Sequence, residues 1–184
     1  PTLVSGLSGA KQVAAGVHNG FALLSDGSVR AWGFNGLGQL GDGSTDDQLT
    51  PVQVSGLTSG VTQIAAGVHT GYALLSGGLV RAWGFNALGQ VGDGSTTDRL
   101  TPVQVSGLTS GVTQTATANN TAYALLSDGS VQAWGFNSVG QVGDGSTTER
   151  HAPVSVGLPV GRIAQRLGTN SKTSYTAMIV LKSD

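Results

Sequence analysis

The 184-residue sequence contains no cysteine, and only 10% of its residues are charged. The absence of cysteine excludes disulfide bonds, thiolate metal sites and cysteine nucleophiles. No apolar run reaches the roughly 18 residues of a membrane-spanning helix, so we expect no membrane partner. The formal net charge is −1, and lysine and arginine form no cluster. We therefore expect no nucleic-acid partner, because such binding rests largely on cationic side chains that meet phosphates.

Glycine, unlike charged residues, is abundant in this sequence. The chain has 30 glycines, and 39% of its residues are hydrophobic. No segment shows the periodicity of an amphipathic helix, whereas short apolar runs alternate with glycine-rich turns. This pattern predicts an all-β chain of short strands joined by tight turns.

One motif recurs at a fixed spacing. The segment Trp-Gly-Phe-Asn, followed by Gly-Asp-Gly-Ser-Thr, begins at Trp32, Trp83 and Trp134, one copy every 51 residues. A constant period of this size indicates a repeat protein. The expected units are 10–60, 61–111 and 112–161, with the last strand of an incomplete unit at 1–9 and a divergent partial unit at 162–184.

Each unit contains about four strands. In the first unit they are expected at residues 12–15, 20–25, 28–33 and 51–54. The pair Asp26-Gly27 predicts a hairpin with a type I′ turn, which needs positive φ at both central residues. Pro51 suits the first residue of an edge strand. In the partial unit, strands are expected at residues 163–167 and 175–180.

Four-stranded units of this length are typical of propeller blades. The motifs Ala-Ala-Gly-x-His, Ala-Leu-Leu-Ser-Asp-Gly-Ser-Val and Ala-Trp-Gly-x-Asn-x-x-Gly-Gln-Leu-Gly-Asp-Gly-Ser-Thr, with Pro-Val-x-Val after them, resemble the regulator of chromosome condensation repeat, most closely its bacterial type. The resemblance covers nearly the whole chain and is weakest after Arg162. It implies a β-propeller of four-stranded antiparallel blades, usually seven in a ring. We therefore expect three full blades and partial blades at both ends, about half a ring.

An open half-ring would expose apolar faces and strand edges. We expect that the chain is either a segment of a longer propeller or one half of a homodimer. In the dimer, the strand at residues 1–7 of one copy would join residues 162–184 of its partner in a composite blade.

Carboxylates recur at one position in every repeat. Asp42, Asp93 and Asp144 each stand in Gly-Asp-Gly-Ser-Thr. A calcium loop needs several oxygen ligands at alternating positions. Each Gly-Asp-Gly-Ser-Thr segment contains only one acidic residue, and the next acids, such as Asp46 and Asp98, come only after the segment ends. We interpret these aspartates as turn residues whose carboxylates accept backbone N–H groups.

No catalytic or metal-binding group emerges from the remaining residues. His18 and His69 lie 51 residues apart, too far for a short-range zinc motif, and we expect each to bond a loop carbonyl, as Asn120 would in the third unit. His151 is expected to be solvated in a variable loop. No histidine base stands beside Ser44, Ser95 or Ser146. The recurring tryptophans are expected to pack between blades. We predict no enzyme activity, no metal and no cofactor.

The sequence differs between repeats mainly in the loops after Trp-Gly-Phe-Asn. We expect these loops to line one rim and to bind a protein partner of unknown identity. The candidate binding residues are Asn35, Leu37, Asn86, Leu88, Asn137 and Val139. The alternative is that the apolar members pack against the next blade.

These observations predict a non-catalytic scaffold for protein–protein interaction. The family resemblance implies two alternatives, namely guanine-nucleotide exchange on a small GTPase, or inhibition of a secreted enzyme such as a β-lactamase. It also favours a secreted or cell-surface bacterial protein.

Overall fold

The computed structural model describes residues 4–168 and 178–183, which form fourteen β-strands. The first blade contains β1 (Ala10–Ala15), β2 (Asn19–Leu24), β3 (Val29–Gly33) and β4 (Gln48–Gln53). The second contains β5 (Val61–Ala66), β6 (Thr70–Leu75), β7 (Val80–Gly84) and β8 (Arg99–Gln104). The third contains β9 (Val112–Ala118), β10 (Thr121–Leu126), β11 (Val131–Gly135) and β12 (Arg150–Ser155). A partial blade pairs β13 (Arg162–Gly168) with β14 (Met178–Ser183).

Each full blade is an antiparallel meander in which the strands lie side by side in chain order. The register repeats from blade to blade, so that Gly20 lies opposite Trp32 and Gly71 opposite Trp83. The all-β fold class, with four-stranded antiparallel blades and a partial ring, is confirmed.

The β2–β3 turn differs from the predicted type I′ geometry. Gly27 has a φ of +81°, but Asp26 does not adopt positive φ. The N–H of Gly27 donates to the carbonyl of Leu24 at 3.0 Å, and the N–H of Leu24 donates to the carbonyl of Ser28 at 2.9 Å. These bonds define a type I turn that ends in a left-handed glycine. The Asp26 carboxylate accepts the N–H of Ser28 at 2.9 Å. Asp26 makes this bond without adopting a left-handed backbone conformation.

The outer strand of the blade is longer than predicted. β4 begins at Gln48, so Pro51 lies inside it rather than at its first position. Ala31 lies opposite Val52, whereas Gly33 lies opposite Gln48, so the pairing is irregular around the proline. Proline is tolerated there because β4 is the edge strand of its sheet and the irregular stretch demands no ladder bond from residue 51.

The partial blade extends beyond the predicted strands. β13 covers residues 162–168 instead of 163–167. β14 runs from residue 178 to 183, past the predicted end at 180, and positions 175–177 lie outside the described residues.

The hydrophobic core is divided into three clusters, each lying between consecutive blades. The first cluster joins Phe21 and Leu40 of the first blade to Ile64 and Trp83 of the second. The second joins the second and third blades around Trp134. The third joins the third blade to β13 and includes Leu167. Burial of apolar surface therefore holds each blade to its neighbours.

Candidate functional site

The β1–β2 turns and the β3–β4 loops lie together at one end of the blades. We call this surface the loop rim; it consists of residues 16–18, 34–47, 67–69, 85–98, 119–120 and 136–149. In the first blade the N–H of Phe34 donates to the carbonyl of His18 at 3.0 Å. The equivalent bonds, Phe85 to His69 and Phe136 to Asn120, have the same length. Turn and loop are thus joined in the same way in all three blades.

A buried asparagine organises each long loop. The side-chain nitrogen of Asn35 donates to the carbonyls of Ser44 and Asp46, both at 3.1 Å. Its side-chain oxygen accepts the N–H of Leu40 at 2.9 Å. Asn86 and Asn137 make equivalent bonds, and all three asparagines are fully buried. The structure therefore places these predicted binding residues inside the loops, where they shape the rim without reaching its surface.

The repeated aspartates close the turns, as the sequence predicted. The Asp42 carboxylate accepts the N–H of Ser44 at 2.9 Å. The corresponding distance is 3.0 Å for Asp93 with Ser95 and for Asp144 with Ser146. Each serine hydroxyl also donates to its aspartate, so it points into the loop.

Arginine reinforces this turn in two of the three blades. The Nε of Arg150 donates to Asp144 at 2.5 Å, and Arg99 makes the same bond to Asp93 at 2.6 Å. The first blade has Gln48 at this position, and its amide donates to Asp42 at 3.3 Å. Desolvation opposes ionisation of Asp144, but the hydrogen bonds from Ser146 and Arg150 and the arginine's charge lower its pKa to about 2.

The three apolar candidates occupy the same position in each loop. The backbone N–H groups of Leu37, Leu88 and Val139 donate to the side-chain oxygens of Gln39, Gln90 and Gln141 at 2.8, 2.8 and 2.9 Å. Leu37 and Leu88 are half-buried, whereas Val139 is 72% exposed. Of the three, Val139 therefore presents the most apolar surface at the loop rim.

A row of rings, which the sequence analysis missed, crosses the loop rim. The imidazoles of His18 and His69 are stacked, with ring centroids 6.3 Å apart and planes 29° apart. Phe34 meets His18 edge-on at 6.4 Å, and Phe85 meets His69 in the same way at 6.5 Å. We call these four residues the ring row. The common spacing of the histidine and the phenylalanine in the first two repeats was the available signal.

The predicted hydrogen bonds from these histidines to loop carbonyls are wrong for the described part of the chain. The Nδ1 of His69 is buried without a hydrogen-bond partner among the described residues, and so is the side-chain oxygen of Asn120. Burial, and secondarily the charge of His18, lowers the pKa of His69. Buried polar atoms without partners are rare in folded proteins. At the loop rim the side-chain nitrogens of Gln39, Gln90 and Gln141 are three more such atoms among the described residues.

His151 does not lie in a solvated loop as predicted. It belongs to β12 and is half-buried. A Cβ placed on Gly89 would lie 2.4 Å from the Cδ2 of His151, so the imidazole packs directly on that glycine of the preceding blade. This contact could not be predicted from the sequence because it joins residues of two different repeats.

Within residues 4–168 and 178–183, no three histidine or acidic side chains are grouped in a way that would hold a metal ion. The same part of the chain has no helix long and apolar enough to cross a membrane.

Comparison with known sequences identifies three matching segments. The family described as "Regulator of chromosome condensation (RCC1) repeat" matches residues 26–74, 77–125 and 128–174. The chain is 33% identical over 152 residues to the ultraviolet-B receptor UVR8 of Arabidopsis thaliana, covering 81% of this chain and 34% of the receptor. It is 32% identical over 190 residues to the human E3 ubiquitin-protein ligase HERC2, covering 98% of this chain and 4% of the ligase. The chain thus spans about a third or less of these curated relatives.

Solved structures share the fold at lower sequence identity. Prp20p from Saccharomyces cerevisiae, studied with its binding properties to Gsp1p and histones, superposes with a TM-score of 0.78 at 22% identity. That match covers 89% of this chain and 42% of Prp20p. Prp20 bound to Kap60 gives a TM-score of 0.81 at 20% identity, covering 97% and 44% of the two chains. Both structures support the arrangement of blades described above.

Proposed function

Because the chain belongs to the regulator of chromosome condensation (RCC1) repeat family, we propose that it is a non-catalytic propeller module that binds a protein partner on its loop rim. The partner's identity is left open. The whole-protein activities of the relatives do not transfer to a chain that spans so small a part of them, since fold alone does not fix function.

The ring row is the observation that carries this proposal. Histidine and phenylalanine rings from two blades form a continuous surface next to buried polar atoms that have no partner among the described residues. Aromatic side chains are enriched at protein interfaces because they bring large contact areas at low entropic cost. A docked protein would cover the rings.

Exposed apolar side chains also lie on the loop rim. Val17 is 57% exposed, Phe34 is 39% exposed and Val139 is 72% exposed, and all three lie on the loop rim. The carboxylates Asp93 and Asp144 on this rim are paired with Arg99 and Arg150, the first residues of the strands that follow their loops. The rim therefore offers apolar and aromatic contacts surrounded by polar loops, which is the usual composition of an interface.

Site-specific cross-linking tests the location of the binding surface. A photoreactive amino acid replaces Val139 on the loop rim or, as the matched control, Val160, which is fully exposed between β12 and β13 at the opposite end of the blades. We expect an adduct with a cellular protein from position 139, and its loss when Leu37, Leu88 and Phe34 are replaced by serine. Equal adducts from both positions, or none from position 139, would contradict the proposal.

Nucleotide exchange is the second candidate, because Prp20p, which shares this fold, is described with its binding to Gsp1p. Accelerated release of a fluorescent guanine nucleotide from Gsp1p would support that candidate. Inhibition of a secreted enzyme such as a β-lactamase stays a prediction, and a direct inhibition assay tests it. The homodimer also stays a prediction, to be tested by light scattering.

A further inference from the structure

The long loop of the first repeat differs from the other two at the residue that follows its buried asparagine. The first loop has Asn35-Gly36, whereas the others have Asn86-Ala87 and Asn137-Ser138. Asparagine is chemically labile in proteins, because the backbone nitrogen of the next residue can attack its side-chain amide. Glycine favours this attack, since it has no Cβ and the freest backbone of any residue. The first loop therefore carries a reactive pair that the other two loops lack.

The attacking nitrogen is accessible in the folded chain. Gly36 is exposed, and its N–H donates to no other group among the described residues. The carbonyl of Asn35 accepts the N–H of Gly38 at 2.8 Å, so residues 35–38 form a tight turn that contains Gly36. The nitrogen is thus open to the solvent base that must remove its proton.

The amide of Asn35 is held by the loop around it. Its nitrogen donates to the carboxylate of Asp42 and to the carbonyls of Ser44 and Asp46, each at 3.1 Å. Its oxygen accepts the N–H of Leu40 at 2.9 Å. We call these partners, residues 40, 42, 44 and 46, the amide cage. Loss of the amide nitrogen would break its three bonds, so the reaction is opposed for as long as the cage stays closed.

The amide cage of the first loop lacks a reinforcement that the equivalent cages have. Arg99 and Arg150 form ion pairs with the aspartates of the second and third loops. In the first loop the neutral amide of Gln48 donates to Asp42 at 3.3 Å. Because hydrogen bonds between charged groups are the stronger kind, we expect the first cage to open more often than the other two. Reactivity and opening both favour the first loop.

We propose that Asn35 is a site of spontaneous deamidation, and that opening of the amide cage sets its rate. The Gly36 nitrogen forms a bond to the Cγ of Asn35, loses its proton to solvent and displaces the side-chain nitrogen as ammonia. Water then opens the resulting five-membered succinimide ring at either carbonyl, which leaves aspartate or isoaspartate. The net reaction consumes one water and releases one ammonia, and it needs no other reactant.

The product does not fit the amide cage. A carboxylate has only acceptors, so it cannot donate to the carbonyls of Ser44 and Asp46. It would also place a second negative charge beside Asp42, in a position that is fully buried when occupied by Asn35. Isoaspartate in addition lengthens the main chain by one carbon. Deamidation therefore opens the first loop of the loop rim irreversibly and leaves the other two loops intact.

The chain contains a second asparagine–glycine pair, Asn19-Gly20, in a different setting. Gly20 lies within β2, between Ala15 of β1 and Trp32 of β3. Strand pairing on both sides fixes the backbone at Gly20, so its nitrogen is not free to approach the side chain of Asn19. We therefore expect Asn19 to stay unchanged while Asn35 reacts.

Peptide mass spectrometry tests the proposal in a single sample. The folded chain is incubated in mildly alkaline buffer, and samples are digested at intervals, with a sample taken at the start to correct for reaction during digestion. Cleavage after arginine places Asn19, Asn35 and Asn86 in three separate peptides, and fragment spectra locate Asn137. Deamidation is detected from the mass change when OH replaces NH2. We expect Asn35 to convert several-fold faster than the other three.

Three variants separate the contribution of the glycine from that of the amide cage. Gly36→Ala, which copies the second loop, should slow conversion of Asn35 to the rate of Asn86. Ala87→Gly should make Asn86 labile, and Gln48→Arg should slow conversion of Asn35 several-fold. Melting curves check that each variant is folded, and Ala87→Gly remains decisive if Gly36→Ala is not. The proposal is overturned if Asn35 reacts no faster than Asn86 or Asn19, if Ala87→Gly leaves Asn86 stable, or if Gln48→Arg leaves the rate unchanged.

Discussion

Trp83 reaches across the boundary between two blades to donate to the carbonyl of Gln39, 3.0 Å away and 44 residues earlier in the chain. The same indole lies against Gly41, where an added Cβ would come within 2.6 Å of the Cδ1 of Trp83. Trp134 repeats this arrangement with Gln90 and Gly92. Each interface therefore depends on a tryptophan and on a glycine that leaves room for it.

Replacing that glycine should weaken the interface. Gly41 has a φ of +70° and lies under the indole, so Gly41→Ala introduces both backbone strain and overpacking, at a cost of about 3 kcal/mol. Gly56→Ala is the matched control, because Gly56 also has a φ of +70° but a Cβ there meets no atom within 4 Å among the described residues. We expect the control to cost only the left-handed backbone strain of about 1 kcal/mol. Urea denaturation measures both, and equal costs would contradict the packing role of Gly41.

The glutamine pair bonds are also expected to contribute to stability. Gln63→Met keeps the length of the side chain but leaves the N–H and carbonyl of Thr115 without their partners, at a cost of about 2 kcal/mol. Gln132→Met is the control, since that amide makes one exposed bond of 3.3 Å to Ser155. Its effect should stay within about 0.5 kcal/mol. Chemical denaturation in which both variants lose the same stability would show that the paired bonds are not important.

The Arg150–Asp144 pair predicts a dependence of stability on acidity. The folded pKa of Asp144 is about 2, below the usual value for an unfolded aspartate of about 3.9. The resulting stabilisation is present above pH 4 or so and is lost as the pH falls through the folded pKa. Arg150→Gln, which copies Gln48 of the first blade, raises that pKa and should lower the melting temperature at pH 5 more than near pH 2.

Arg166→Gln provides the control for this measurement, because Arg166 is exposed and forms no ion pair with any described residue. Its melting curves should follow those of the parent chain across the same pH range. A deficit of the Arg150→Gln variant that stays constant from pH 5 to pH 2 would rule out a role for Asp144 ionisation.

The lowered pKa of His69 predicts a second pH range, above that of Asp144, in which stability depends on pH. Its folded pKa is lowered, first by burial and then by the charge of His18, so folding disfavours the protonated ring. The stability contributed by the neutral ring is therefore lost as the pH falls from the usual unfolded value of about 6.5 towards the lower folded pKa. His69→Asn, which copies Asn120 of the third blade, should flatten the melting temperature between pH 7 and pH 5. If the melting temperature of this variant changes with pH as steeply as that of the parent chain, groups other than His69 cause the pH dependence.

Much of the architecture follows from residues whose role is local. The 51-residue spacing of Trp32, Trp83 and Trp134 indicated blades, and the packing of the last two between blades is confirmed. The turn role of Asp42 and its equivalents is confirmed too, because an aspartate two residues before a serine bonds its own neighbourhood whatever the tertiary context.

Contacts between repeats were much harder to predict. The bonds of Gln12 to Ile64, and the packing of His151 on Gly89, join residues of different blades at positions that only the register of the sheets specifies. The burial of Asn35 was missed for a related reason. An asparagine in a glycine-rich loop suggests exposure, and only the path of the loop brings the carbonyls of Ser44 and Asp46 around its amide.

The serial arrangement of the three hydrophobic clusters has a consequence for how such a chain behaves as a polymer. Each cluster couples a blade only to its immediate neighbours. The free energy of unfolding should therefore increase with each added interface between neighbouring blades. The second blade takes part in two junctions and the first in only one among the described residues, and hydrogen exchange should be slower in the second. Lengthening the array by whole multiples of its period preserves every packed surface, which makes duplication of a repeat an easy route for such sequences to evolve.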